Sequence, residues 1–214
     1  MKNATICFVL LVALAISGVS ANAQTAPQAP ASPAPVTAPV NAPVIDPARE
    51  LKGVKLLEAL RAGGYVLYMR HAQQGRYTVE CSVSNLSAAG EEQARKVGAA
   101  IRELKIPIGV VRASKYCRAS DTARVLDIGN VEITEDLNPA GTEEAEVARR
   151  KRIGEVPPNG MNIILVSHGH HTAMIEWAEI IVYLPDGKGA VEPVARIPRD
   201  AWDELKKVAA PAVQ

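Results

Sequence analysis

Short apolar runs that stop abruptly at charged or polar residues constrain this chain more than any other feature. Tyr65 to Met69 gives way to Arg70-His71, and the run "MNIILV" gives way to Ser167-His168-Gly169. Strands buried on both faces read this way, because helices cover a parallel sheet on each side. Segments of helical period separate these runs. After Ser87, residues Ala94, Val97, Ile101 and Leu104 share one helical face, with Glu91 and Glu92 in the first turn where the helix dipole favours them. Upstream, Asp46 as cap, Pro47 in the first turn and Gly63-Gly64 as a stop predict a helix. Downstream, "IPIGVVRAS" reads as a strand, "RASDTARVL" as a helix and "NVEIT" as a strand. The glutamate-rich stretch 135–155 reads as partly helical and "HTAMIEWAE" as a helix. The stretch 181–197 reads as strand, turn and strand, and "PRDAWDELKKV" as a closing helix. Alternating elements of this kind predict a three-layer α/β/α sandwich with a mainly parallel central sheet. Ligands in such sheets collect beyond the carboxyl ends of the strands, so the two histidine stretches are expected to face one crevice.

The residue types at those ends suit a phosphoryl group. The chain has four histidines, and His71 sits directly beside Arg70. A guanidinium disfavours a charged imidazole, so Arg70 is expected to keep His71 neutral and nucleophilic. A third element contributes Arg118 at the start of the helix "RASDTARVL". Guanidinium forks match phosphate oxygens bidentately, and backbone N–H groups at a helix start add donors. Attack by His71 on phosphorus would give a phosphohistidine that water then displaces.

The strand-terminal "RHA", "LSAAGEEQARKVGAAI", "SKYCRASDTA" and "VSHG" occur in the order and spacing of the histidine phosphatase superfamily, which this chain resembles from Tyr65 to about Trp202. The resemblance implies a phosphoglycerate mutase-like fold and a phosphatase-type activity without metal or cofactor. It implies His71 as nucleophile, Arg70 and Arg118 as phosphate-binding arginines and His168 as the second phosphate-binding histidine. Gln74 and Tyr77 stand where mutases of the family carry a hydroxyl residue and an asparagine, which argues against a sugar-phosphate mutase. Ala72 replaces the more frequent glycine, and Ser84 stands where related bacterial members often have an arginine. Many members place an acid after the third strand, but here that position is Pro139. Glu143 and Glu144 are the nearby proton-donor candidates, with Asp136 behind them; as alternatives, all three are ordinary surface acids. Without a donor, activity should favour phosphoramidates, acyl phosphates or aryl phosphates, whose leaving groups need protonation least.

Two other functions fit parts of the pattern. One is an inactive phosphate-binding module of the same fold. The other is a zinc site using His71, His168, His170 and His171, which the two arginines and the lack of an adjacent carboxylate disfavour. His170 and His171 otherwise read as a solvent-facing residue and a helix-start residue.

The amino terminus sets the compartment. Lys2, the apolar stretch from Ile6 to Ile16 and Ala21-Asn22-Ala23 have the form of a signal peptide over residues 1–23, cleaved after Ala23. An uncleaved anchor is the alternative, but the apolar stretch is shorter than the ~20 residues that span a bilayer. Residues 24–47 are rich in proline and alanine, with seven prolines and no aromatic residue, and read as a disordered linker before a domain over 48–214. Export implies a periplasmic or secreted protein without an integral membrane domain. The chain carries 24 Lys and Arg against 23 Asp and Glu. Lys2 leaves with the signal, so no net field draws the protein to nucleic acid. The expected partner is a small phosphorylated substrate; the sequence sets no oligomeric state. The basic run 149–152 reads as a solvated helix face. Cys7 leaves with the signal, and the remaining Cys81 and Cys117 are expected to form a disulfide in an oxidising compartment, with separate buried thiols as the alternative.

Overall fold

The computed structural model describes residues 43–75, 81, 84–139, 141–169 and 175–209. The signal region, most of the linker and residues Tyr77, His170 and His171 lie outside them. The described residues form five α-helices and six strands: α1 (Gly53–Ala62), β1 (Val66–Arg70), α2 (Ala88–Glu103), β2 (Ile108–Ser114), α3 (Cys117–Leu126), β3 (Val131–Thr134), α4 (Glu143–Ile153), β4 (Asn162–Ser167), β5 (Ile180–Pro185), β6 (Val191–Ile197) and α5 (Trp202–Ala209). The strands make one sheet in the order β3-β2-β4-β1-β5-β6. The first four are parallel, β5 runs antiparallel to β1, and β6 pairs antiparallel with β5 and so points the same way as the first four. The mainly parallel sheet read from the sequence is therefore present, with an antiparallel hairpin at one edge.

Side chains alternate across this sheet and divide the core in two. Leu67, Met69, Ile164, Val166, Ile180 and Val182 meet α1, α2, α3 and α5 on one face. Val66, Tyr68, Ile163, Leu165 and Ile181 meet Leu137, Ile175 and the end of α4 on the other. All six residues of β4 are buried, as the unbroken apolar run requires of a strand covered on both sides.

Some boundaries depart from the sequence reading for identifiable reasons. The first helix starts at Gly53 rather than beside Asp46. Asp46 instead caps a tight turn through its Oδ1 and the Ala48 N–H, and Leu51 N–H donates to Val194 O at 2.8 Å. Pairing with the edge strand β6 thus outweighs the capping signal. The helix expected from His171 to Glu179 is absent over Ile175–Glu179. There Ala178 adopts φ 61°, its N–H faces the carbonyls of Arg70 and His71, and Glu179 O accepts from Arg70 N–H at 3.1 Å. That segment is tied to the end of β1, which no periodicity can reveal. The last helix begins at Trp202, after a turn closed by Ala201 N–H to Pro198 O. The basic run 149–152 is not a uniformly solvated face. Arg149 is buried against Glu146, and Arg152 bonds Asp136 at 2.7 Å and lies 3.4 Å from Glu155.

Among the described residues, no helix is long and apolar enough to cross a membrane. The expected disulfide is present between Cys81 and Cys117, across a sequence separation of 36.

Candidate active site

The parallel register brings the two histidine stretches together. Arg70 ends β1 directly opposite Ser167, which ends β4, and His71 N–H donates to Ser167 O at 2.9 Å. The strand β2, on the other side of β4, leads through Ser114 and Tyr116 into α3 and Arg118. The loop after His71 is fixed to α3: Ala72 N–H donates to Thr122 Oγ1 at 3.0 Å, and Thr122 Oγ1 donates to Arg118 O at 2.7 Å. Arg70, His71, Arg118 and His168 all line one cavity of about 320 Å³, with Gln74, Pro139, Gly169 and Trp177. All four residues predicted to act on the phosphoryl group therefore share one space.

The proton on His71 is located by its neighbours. Nδ1 lies 2.8 Å from Ala72 O, and a carbonyl only accepts, so Nδ1 carries the hydrogen. Nε2 then holds the lone pair, and it accepts from Arg118 Nε–H at 3.2 Å. The ring is only 4% exposed. Its pKa is lowered to about 4, first by burial and then by Arg118 and Arg70, against the opposing pull of the Ala72 carbonyl. The neutral imidazole expected from the adjacent arginine is present, but burial is the larger cause. The His168 ring meets His71 edge-on at 5.3 Å between centroids.

His168 is held from two directions. Its Nε2 lies 2.9 Å from Ser114 Oγ, and Tyr68 O–H donates to its carbonyl at 3.1 Å. Asn138 Oδ1 accepts from Lys115 N–H at 3.3 Å and from Ser114 O–H at 2.9 Å. The Ser114 hydroxyl proton is thus committed to Asn138, and Ser114 Oγ accepts from Nε2–H of His168. Ser114 and Asn138 escaped the sequence reading, because a serine inside a strand and an asparagine in a turn carry no distinctive spacing.

Arg70 is held by its Nη1–H, which donates to Ile175 O at 2.7 Å. Burial pushes its pKa down, Glu176 opposes this and Arg118 adds to it. Gly169 makes room for this side chain. A Cβ on residue 169 would lie 3.1 Å from Arg70 Nε, closer than side chains normally pack. A side chain at 169 would thus oblige the Arg70 side chain to shift by a few tenths of an ångström.

No carboxylate lines the cavity among the described residues, and Pro139 occupies its wall. Glu143 and Glu144 lie exposed in the first turn of α4, outside the cavity lining. Hydrogen bonds from its own backbone N–H and from Thr142 lower the pKa of Glu144, which keeps it ionised and leaves less of the protonated form a donor needs. Asp136 is committed to Arg152.

Known proteins share part of this sequence and its fold. The model of the histidine phosphatase superfamily (branch 1) matches residues 66–155, which include Arg70, His71 and Arg118. No curated protein matches the sequence. Among solved structures, the chain is similar to the protein histidine phosphatase SixA complexed with tungstate. The identity is 19%, covering 63% of this chain and 97% of that one, with a TM-score of 0.51. It is also similar to a phosphoserine phosphatase from Entamoeba histolytica at 13% identity, covering 64% of this chain and 98% of that one, with a TM-score of 0.45. Residues 66–155 thus match the histidine phosphatase superfamily model, and the chain shares the fold of a protein histidine phosphatase.

Proposed function

We propose that the protein is an exported phosphatase that hydrolyses a phosphomonoester or related phosphoryl compound through a phosphohistidine on His71. The observation that carries this reading is the fixed tautomer of His71: a buried, neutral ring with the Nε2 lone pair held at the wall of a cavity that two arginines share. Arg70 and Arg118 bind the phosphoryl oxygens, and the Arg118 Nε–H that caps Nε2 in the free protein passes to one of them. Nε2 attacks phosphorus, the Nε2–P bond forms, and the bond to the leaving group breaks with its electron pair. Water then attacks the phosphohistidine, releasing phosphate and the neutral ring. His168 faces the developing charge from the other side of the crevice. The sequence of residues 1–23 supports export, and the Cys81–Cys117 disulfide fits an oxidising compartment.

Hydrolysis of 4-nitrophenyl phosphate by the wild-type protein and by His71→Ala tests the reading. The wild type should turn over and pass through a phosphoenzyme that is labile in acid and stable in base; His71→Ala should do neither. The absence of a carboxylate from the described cavity lining favours one second reading, a weak or inactive module that only binds phosphoryl ligands. Tungstate binding without hydrolysis of any activated phosphate would select that reading.

A further inference from the structure

Each guanidinium in the cavity is backed by an aromatic ring. Arg70 Cζ lies 5.6 Å from the Trp177 ring centroid, and Arg118 Cζ lies 5.1 Å from that of Tyr116. Tyr116 also meets His168 edge-on at 5.6 Å between centroids. The rings approach from opposite sides, since Tyr116 follows β2 and Trp177 precedes β5, and these strands bracket β4 and β1. A ring face attracts a cation without cancelling its charge, so both arginines keep their full charge for the phosphoryl group.

Depth separates the chemistry from the recognition. His71 and His168 are each 4% exposed, whereas Gln74 and Pro139 are exposed and Trp177 is half-buried. Displacement at phosphorus runs in line, so the leaving group lies on the side away from Nε2. That side is the open rim; of the described lining residues, Gln74, Pro139 and Gly169 are exposed, and Trp177, Arg70 and Arg118 are half-buried. Tyr116, 37% exposed, does not line the cavity but packs on Arg118 and His168, which do. Gln74 offers a leaving group an amide at that rim and Trp177 offers an aromatic face, and a flat ring uses the second.

Resting on the phosphatase reading above, we propose that Trp177 is a specificity-determining residue that selects an aromatic ring at the leaving-group end, so that the substrate is an aryl or heteroaryl phosphoryl compound, while Tyr116 positions Arg118. In the first step the Nε2–P bond forms and the bond from phosphorus to the ring's oxygen or nitrogen breaks. The electron pair leaves into the ring system, which lowers the need for an acid in a cavity whose described lining has no carboxylate. Water closes the cycle.

Calorimetric titration of the purified protein with phenylphosphonate and cyclohexylphosphonate, non-hydrolysable and similar in size, tests this directly. Phenylphosphonate should bind roughly fivefold more tightly, in the range of one aromatic contact. Trp177→Leu should bring the ratio near one, and Trp177→Phe should retain most of it. Equal affinities in the wild type, or a ratio unchanged in Trp177→Leu, would overturn the proposal. If tungstate binds but the two phosphonates bind equally, only the aromatic selection falls. If neither tungstate nor either phosphonate binds, the phosphoryl site itself falls with it.

Discussion

Charging the His71 ring means placing a cation in a buried cavity beside two guanidiniums. With a pKa of about 4, the ring stays neutral through the physiological range. The acid limb of kcat/KM, corrected for ionisation of the substrate, should therefore fall near pH 4 rather than near the ordinary histidine value of about 6.5. The same shift links to folding. As pH falls, the unfolded chain takes up this proton first, so the contribution to stability is full above about pH 6.5 and is lost down to about pH 4. The loss is roughly 3 kcal/mol over that window. Urea midpoints at pH 7 and pH 4.5 measure it, and His71→Gln should flatten the dependence. Gly169 offers a second test at this scale. Gly169→Ala pushes a methyl group against Arg70, and tungstate affinity should drop about fivefold, equivalent to about 1 kcal/mol. Unchanged affinity would mean that Arg70 yields without leaving the phosphoryl site.

Between elements, the loop after β1 is held by packing that leaves no spare volume. A Cβ on Gly90, in the first turn of α2, would lie 2.0 Å from Gln73 O. Gly90→Ala must therefore separate α2 from the loop that follows His71, and a loss of about 2 kcal/mol or more in denaturant unfolding is expected. Beyond Gln74 the chain returns to pair at Leu86, Gly75 N–H donates to Asn85 O, and Asn85 N–H donates to Asp121 Oδ2 of α3. The Cys81–Cys117 bond adds a covalent link to the first residue of α3, next to Arg118. A cross-link of this span stabilises by about 3 to 4 kcal/mol in the chain-entropy account. The Cys81→Ser, Cys117→Ser double variant should lose stability of that order, with a higher KM if the link also places Arg118. An unchanged KM would confine the disulfide's role to stability.

Over the whole molecule, the helices are unequally distributed, with α1, α2, α3 and α5 on one face of the sheet and α4 on the other, and the site opens at the ends of its parallel strands. Amino-terminal sequencing of protein expressed with residues 1–214 in a bacterium should give Gln24 as the first residue; an intact Met1 in the cytosolic fraction would reject export. The sequence by itself determined the strand cores and the placing of Arg70, His71, Arg118 and His168 at the ends of elements that meet in one cavity, because these depend on local apolar runs and on short stretches of chain. It missed Trp177, Tyr116, Ser114 and Asn138, which lie in unremarkable local contexts and gain roles only from what stands across the crevice. The tertiary structure alone decided that Ile175–Glu179 is not helical, that the first helix starts at Gly53, and that burial outranks the arginines in keeping His71 neutral. Each of those outcomes turns on contacts with distant residues or on the removal of water. Periodicity registers neither.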